Sequence, residues 1–358
     1  MKSFRFLLVM SLLALVFSCG GDDKITNENN PENQEQGGEA PKVEERTVEL
    51  SSSSWTDKGY FDGILYYKKI SDNPAEAIVS SCEKTATNAL IPTWLKIDDK
   101  TYKVTDIANS AFDNCSSLIS IDIPNSVTSI GSNAFIGCTS LTSVEIPNSV
   151  TNIGDHAFVA CRSMTSAKIG NSVKNVGDGV FRECTNLTSI VIPNSVTSIG
   201  NSVFAGCASL TTIIVEKNNL RYDSRNNCNA IIITASNTLI AGCINTVIPN
   251  SVTMIGNYAF RQCTGLTSIV IPNSITSIGS AAFQSCTNLT SVEIPNSVTV
   301  ICSVAFLGCP LASVHIKCNN PPIIDGTVFN SHIPILYVPT GTKDKYATWN
   351  NFDKIVEE

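Results

Sequence analysis

The chain has 358 residues, with 24 lysines and arginines against 31 aspartates and glutamates, for a formal net charge of −7. Hydrophobic residues make up 43% and charged residues 15%, and no basic patch stands out anywhere along the sequence. That balance argues against nucleic acid as a partner.

Residues 1–18 read as an export signal. Lys2 and Arg5 supply its positive end, and 6–17 is an apolar run broken only by Ser11. Such a run is too short to span a bilayer comfortably. It ends at Val16-Phe17-Ser18-Cys19, which resembles the lipobox of bacterial lipoproteins, although Phe17 is bulkier than the usual small residue. The resemblance implies cleavage before Cys19, lipidation of that cysteine and contact with the outer membrane through the anchor alone. An ordinary cleaved signal with an incidental cysteine is the alternative. Gly20-Gly21-Asp22-Asp23 resembles the surface-export signal of lipoproteins in some Gram-negative groups, which implies display on the cell surface; the alternative is a periplasm-facing protein.

Residues 19–47 hold eight acidic and three basic residues, with almost no large apolar side chains. A segment of this kind cannot bury enough surface to fold and reads as an acidic tether. Removing Lys2 and Arg5 takes the chain from −7 to −9, of which −5 sits in the tether and about −4 in the remainder. Residues 48–100 carry short apolar and aromatic runs, such as Ile64-Leu65-Tyr66-Tyr67 and Ala89-Leu90-Ile91, and read as an N-terminal β cap.

Residues 101–316 are periodic. Cys115, Cys138, Cys161, Cys184 and Cys207 are each 23 residues apart, as are Cys263, Cys286 and Cys309, and a phenylalanine precedes each by three. A fixed period in this range signals stacked coils. In the coil from Leu187 to Phe204, alternation points Ile190 and Ile192 inward and Ser189 and Val191 outward. Pro193-Asn194-Ser195 ends that strand. Val196 and Ile199 supply a second extended wall, and Gly200 is expected at a turn with positive φ. Asn201 and Ser202 are expected to cap a short helical corner carrying Val203, Phe204 and Cys207. The expected fold is a β-rich solenoid of 23-residue coils, with two extended walls and a short helical corner, capped at both ends. Cysteines repeated at one point of successive coils have parallel Cβ vectors, a poor geometry for disulfides, so the ladder reads as reduced core thiols.

This pattern resembles the BspA-type leucine-rich repeat family over residues 100–316. Gly170 departs from it at the strand-ending proline and Ala167 at an inner isoleucine. Cys302 departs from it where six coils have glycine. The resemblance implies adhesion to host or matrix proteins, or to other cells.

Cys207 and Cys263 are 56 residues apart, or 23 plus 33. The extra length, about 216–245, reads as a hairpin with its turn near Thr234-Ala235-Ser236-Asn237. Folded there, Ile232 faces Leu239 and Cys228 faces Cys243, so the two cysteines are candidates for a disulfide or stay as two thiols. Residues 317–358 read as a C-terminal cap, because an uncovered last coil would expose apolar core and a sheet edge.

No motif points to an enzyme. His156, His315 and His332 are scattered without zinc-ligand spacing, and no phosphate loop or nucleophile elbow occurs. No metal or cofactor is expected. The outward column before the second isoleucine is more informative: Asp122, Glu145, Lys168, Val191, Ile214, Val247, Val270, Glu293 and His315. Its ends are charged and its middle is aliphatic. The neighbouring column is hydroxylic, through Ser189, Thr212 and Ser268 among others. Ser189, Val191, Thr212, Ile214, Val247, Ser268 and Val270 therefore form a candidate contact strip for a protein or glycoprotein. The plain alternative is that β-branched residues suit strands. Glycan capture and a structural surface role are further alternatives; Trp55, Trp94 and Trp349 all lie outside the coils, which disfavours the first.

Overall fold

The computed structural model of this chain describes residues 45–358 except Asp325 and Ser331. Cys19, the export signal and nearly all of the tether lie outside the described residues. The described residues form a β solenoid of about 12 turns. In the first wall, Ser189–Ile192 pairs in parallel with Thr212–Val215, 23 residues on, and Ser291–Ile294 pairs with Ser313–Ile316. The second wall stacks Ser129–Ile130, Asn152–Ile153, Asn175–Val176 and Ser198–Ile199 in the same way. Alternation works as expected: Ile190 and Ile192 are buried while Val191 is out in solvent.

The core runs between the walls as two ladders. Phe112, Phe135, Phe158, Phe181 and Phe204 stack ring on ring, with centroids 4.7–6.0 Å apart. Phe260, Phe283, Phe306 and Phe329 form a second stack at 5.0–5.4 Å. The stack thus continues one coil beyond residue 316. The ladder cysteines are free, buried thiols. They also do more than fill space. Cys138 Sγ donates to Phe112 O at 3.1 Å, Cys161 to Phe135 O at 3.3 Å and Cys286 to Phe260 O at 3.1 Å. Each thiol therefore ties one coil to the one before it. Burial pushes the Cys138 and Cys263 thiols up to about 12, so neither is a thiolate near neutral pH.

The corner differs from the helical turn expected. Each coil places two left-handed residues four apart there, such as Asn133 and Gly137, His156 and Ala160, or Ser202 and Gly206. Single left-handed residues interrupt a right-handed helix. They turn backbone groups along the stack instead: Phe112 N donates to Ala134 O at 2.7 Å and Asn114 N to Ile136 O at 2.7 Å. The corner is a third row of coil-to-coil hydrogen bonds. Gly200 likewise has a different role from the one expected. It is not among the positive-φ residues. A Cβ on it would sit 2.5 Å from Asp178 N, so close approach of the preceding coil requires glycine.

The N-terminal strands Leu65–Asp72, Ala75–Cys82 and Lys100–Ile107 extend the second wall. At the other end, Ile333–Val338 and Phe352–Glu357 extend the first wall. Tyr346 and Trp349 close the core there, and the Tyr346 hydroxyl donates to Cys318 O at 2.6 Å.

The insert is the expected hairpin: Ala230–Ile233 runs antiparallel to Thr238–Gly242, with Ile232 opposite Leu239. The pairing of Cys228 with Cys243 is not formed. A register shift beside Ile232 sets Ile231 opposite Ala241 and Ala230 opposite Gly242. One residue of slip moves Cys243 opposite Asn229, whose carbonyl accepts its thiol hydrogen at 3.3 Å. Cys228 packs in a different core cluster from Cys243, and both are free thiols.

Candidate binding surface

The second wall divides at the insert: one sheet ends at Ser198–Ile199 and another begins at Tyr222–Asp223. Tyr222–Asp223 occupies the next wall position, where the Tyr222 hydroxyl accepts from Ile199 N at 3.1 Å. The hairpin then hands the ladder on, because Thr238–Gly242 pairs in parallel with Met254–Ile255. Asp223 anchors this passage. Its carboxylate takes Arg225 Nε at 2.7 Å and Nη2 at 2.6 Å, and Thr234 Oγ1 at 3.0 Å. Burial alone would raise the Asp223 pKa, but the Arg225 hydrogen bonds outweigh it and hold the carboxyl below its usual range.

The first wall is interrupted at the same place. It divides into a four-stranded sheet ending at Thr212–Val215 and another beginning at Ser291–Ile294. Insert residues have taken the groups that would continue the ladder. Val215 N donates to Ser224 Oγ at 2.9 Å and Val247 N to Cys228 O at 3.1 Å. Thr246 Oγ1 accepts from Cys243 N at 2.8 Å and donates to Asn229 O at 2.7 Å. Ser268–Ile271, one coil further on, makes no backbone hydrogen bond among the described residues.

The candidate strip falls across this interruption. Val191 lies opposite Ile214 in the first four-stranded sheet, 43% and 46% exposed, beside Ser189 and Thr212. Val247 and Val270 are 72% and 82% exposed and line an open groove of about 650 Å³ together with Ser268. The strip is thus two aliphatic patches, one on a regular sheet and one on an open seam. On one flank Lys168 Nζ meets Glu145 at 2.5 Å, and on the other His315 stacks on Tyr337 at 4.3 Å.

Sequence patterning missed several surface residues. Asn226, Asn245 and Pro249 also line the groove. Leu220 is 95% exposed on the insert's first turn. Asn219 holds that turn rigidly, donating to Pro193 O and Val196 O at 3.0 Å each. Leu220 follows two asparagines at a turn-forming position, a signal that can be read afterwards but is weak in advance. Of the three tryptophans, Trp55 is 56% exposed and Trp349 is buried. Among the described residues no cluster of histidine, cysteine or carboxylate could hold a metal ion, and no helix is long and apolar enough to cross a membrane.

A sequence profile described as "BspA type Leucine rich repeat region" matches residues 105–232 and 236–339, in six copies. The chain belongs to the BspA-type leucine-rich repeat family. Between residues 105 and 339 the match leaves out only 233–235, at the tip of the insert hairpin, so it takes in most of the lengthened coil. Among solved structures, the chain is similar to the pneumococcal vaccine antigen PcpA, at 19% identity and a TM-score of 0.57, covering 83% of this chain and 98% of that one. It is also similar to a leucine-rich cell surface protein of Faecalibacterium prausnitzii A2-165, at 23% identity and a TM-score of 0.50, covering 85% and 96%. These likenesses concern the fold. No curated protein matches the chain.

Proposed function

We propose that this BspA-type protein is a non-enzymatic binding component of the cell surface, which holds a protein or glycoprotein partner against its first wall. The observation that carries the reading is the pair Val247 and Val270, 72% and 82% exposed on adjacent coils of the first wall. Solvated aliphatic patches of this kind mark contact sites, and solenoids present them on extended faces. Adhesion to host or matrix proteins, or to other cells, is the role the family resemblance suggests. The groove has no aromatic platform for a sugar ring, which disfavours glycan capture.

Anchoring is the second element. Lipidation at Cys19, followed by an acidic tether, would carry the repeats outside the outer membrane. A doubly acylated cysteine anchors stably where one chain binds only marginally.

Two measurements test the reading. Protease shaving of intact cells should remove the repeats; survival of the protein would place it on the periplasmic side. Immobilised protein should capture host glycoproteins, and Val191→Lys combined with Val270→Lys should abolish capture while the chain stays folded. Unchanged capture by that variant would remove the strip as the site.

A further inference from the structure

The insert that interrupts the first wall also sends a side chain into solvent beside it. Leu220 is 95% exposed, more than any other large apolar residue among those described. It sits in the turn that leaves the first wall after Thr212–Val215, and Asn219 fixes that turn by donating to Pro193 O and Val196 O. A leucine held in this way has little freedom left to lose on binding. Two exposed cations flank it, Lys217 and Arg221, and neither forms an ion pair among the described residues.

The groove has the complementary features. It is open, about 650 Å³, walled by Val247 and Val270, and its lining has no ionisable side chain. Its Pro249 and Pro272 hold the repeat position of Pro193, so the groove borders the same row of turns that carries Leu220. One coil past Val270, in the same outward column, Glu293 is 66% exposed and lies 4.0 Å from Lys317. An apolar knob beside cations and an apolar groove beside a carboxylate therefore share one face of the molecule.

From these observations we propose that the groove receives Leu220 of a second copy of this chain. This rests on the reading that the first wall binds a protein, and it names that protein. A two-fold axis in the plane of the face, running across the stack midway between knob and groove, sets two copies face to face and antiparallel. Each Leu220 then enters the other copy's groove, the reciprocal contact of a closed dimer. The same operation carries Lys217 of each copy towards the partner's Glu293. Burial of the leucine and the two valines supplies affinity, and the charges favour this register over others. Antiparallel copies point their N-terminal ends apart, the arrangement required of copies displayed on two cells.

Sedimentation velocity of the full chain across the micromolar range should show monomer and dimer in equilibrium, with no larger species. Leu220→Asp, at a side chain too exposed to support the fold, should weaken the dimer by about tenfold. Lys217→Glu and Glu293→Lys should each weaken it several-fold, and the two together in one chain should restore it. A chain that stays monomeric, open-ended assembly, a dimer indifferent to Leu220→Asp, or a charge swap that fails to restore association would each overturn the reciprocal dimer. The capture experiment with Val191→Lys and Val270→Lys decides the broader reading separately. If no dimer forms, capture lost in that variant leaves the first wall as the binding surface of another protein; unchanged capture removes both.

Discussion

The two walls of this solenoid share one period, one set of core ladders and one insert, yet they meet the insert differently. The second wall breaks between Ser198–Ile199 and Tyr222–Asp223 but is bridged and soon resumes. Tyr222 stands in for a wall residue, a hairpin spans the gap, and pairing resumes at Met254–Ile255. The first wall is left open, because Ser224 and Cys228 occupy backbone groups that a neighbouring strand would have used. An insertion in a stacked repeat must satisfy its own polar groups somewhere. Here it satisfies them at the expense of both ladders, and in the first wall the result is an aliphatic surface beside unbonded backbone at Ser268–Ile271.

The largest expected effect checks what both walls depend on. Phe158 is fully buried and stacks on rings at 5.0 and 5.7 Å. Phe158→Ala should cost about 3–5 kcal/mol in chemical denaturation. Phe204 is partly reachable by solvent and has one stacking partner, at 6.0 Å. Phe204→Ala should therefore cost less than Phe158→Ala; equal costs would mean that the insert does not loosen the core.

Next is the point where the hairpin crosses the core. A Cβ on Gly242 would lie 2.2 Å from the Phe260 ring. Gly242→Ala should destabilise by about 1–3 kcal/mol through overpacking. The penalty should shrink in a Phe260→Leu background, since the two residues share one space. Additive costs would show that the ring is not what excludes the methyl group.

On the open wall the expected stability effect is small. Val191→Lys with Val270→Lys should stay within about 0.5 kcal/mol of the parent, as both side chains are exposed. A large loss would mean that the patch is structural. Native alkylation should label half-buried Cys302 before the ladder thiols, and the non-reduced mass should show Cys228 and Cys243 both as thiols. A mass two hydrogens lower would restore the disulfide.

The smallest effect belongs to the second wall. Asp223 has a lowered pKa in the fold, so its ion pair with Arg225 contributes above the unfolded carboxylate value of about 3.9. That contribution should fade as pH falls from about 4 through the lower folded value, and Asp223→Asn should remove this part of the pH dependence. An unchanged acid limb would remove Asp223 from the account of how the second wall is bridged.

Much of this was legible in the sequence, because periodicity reports which residues face the core. The Phe and Cys columns, the alternation at Ile190, Val191 and Ile192, and the hairpin with Ile232 against Leu239 all follow from spacing. What spacing could not show was geometry set by one residue. The register slip that parts Cys228 from Cys243 is a local bulge with no compositional mark. The corner depends on left-handed backbone at His156, Ala160 and Ser202, residues that do not announce it. The thiol-to-carbonyl bonds need coordinates, since Cys138 and Phe112 are 26 residues apart. Of the candidate strip, the sequence gives its members; its division into two patches depends on which hydrogen bonds the insert takes.

Amide hydrogen exchange tests the central claim most directly, by comparing the two walls within the same coils. The account predicts rapid exchange at Ser268–Ile271 and slow exchange at Ile255 and Ile278, whose second-wall strands stay paired. Equal protection of both sets would contradict it and close the seam.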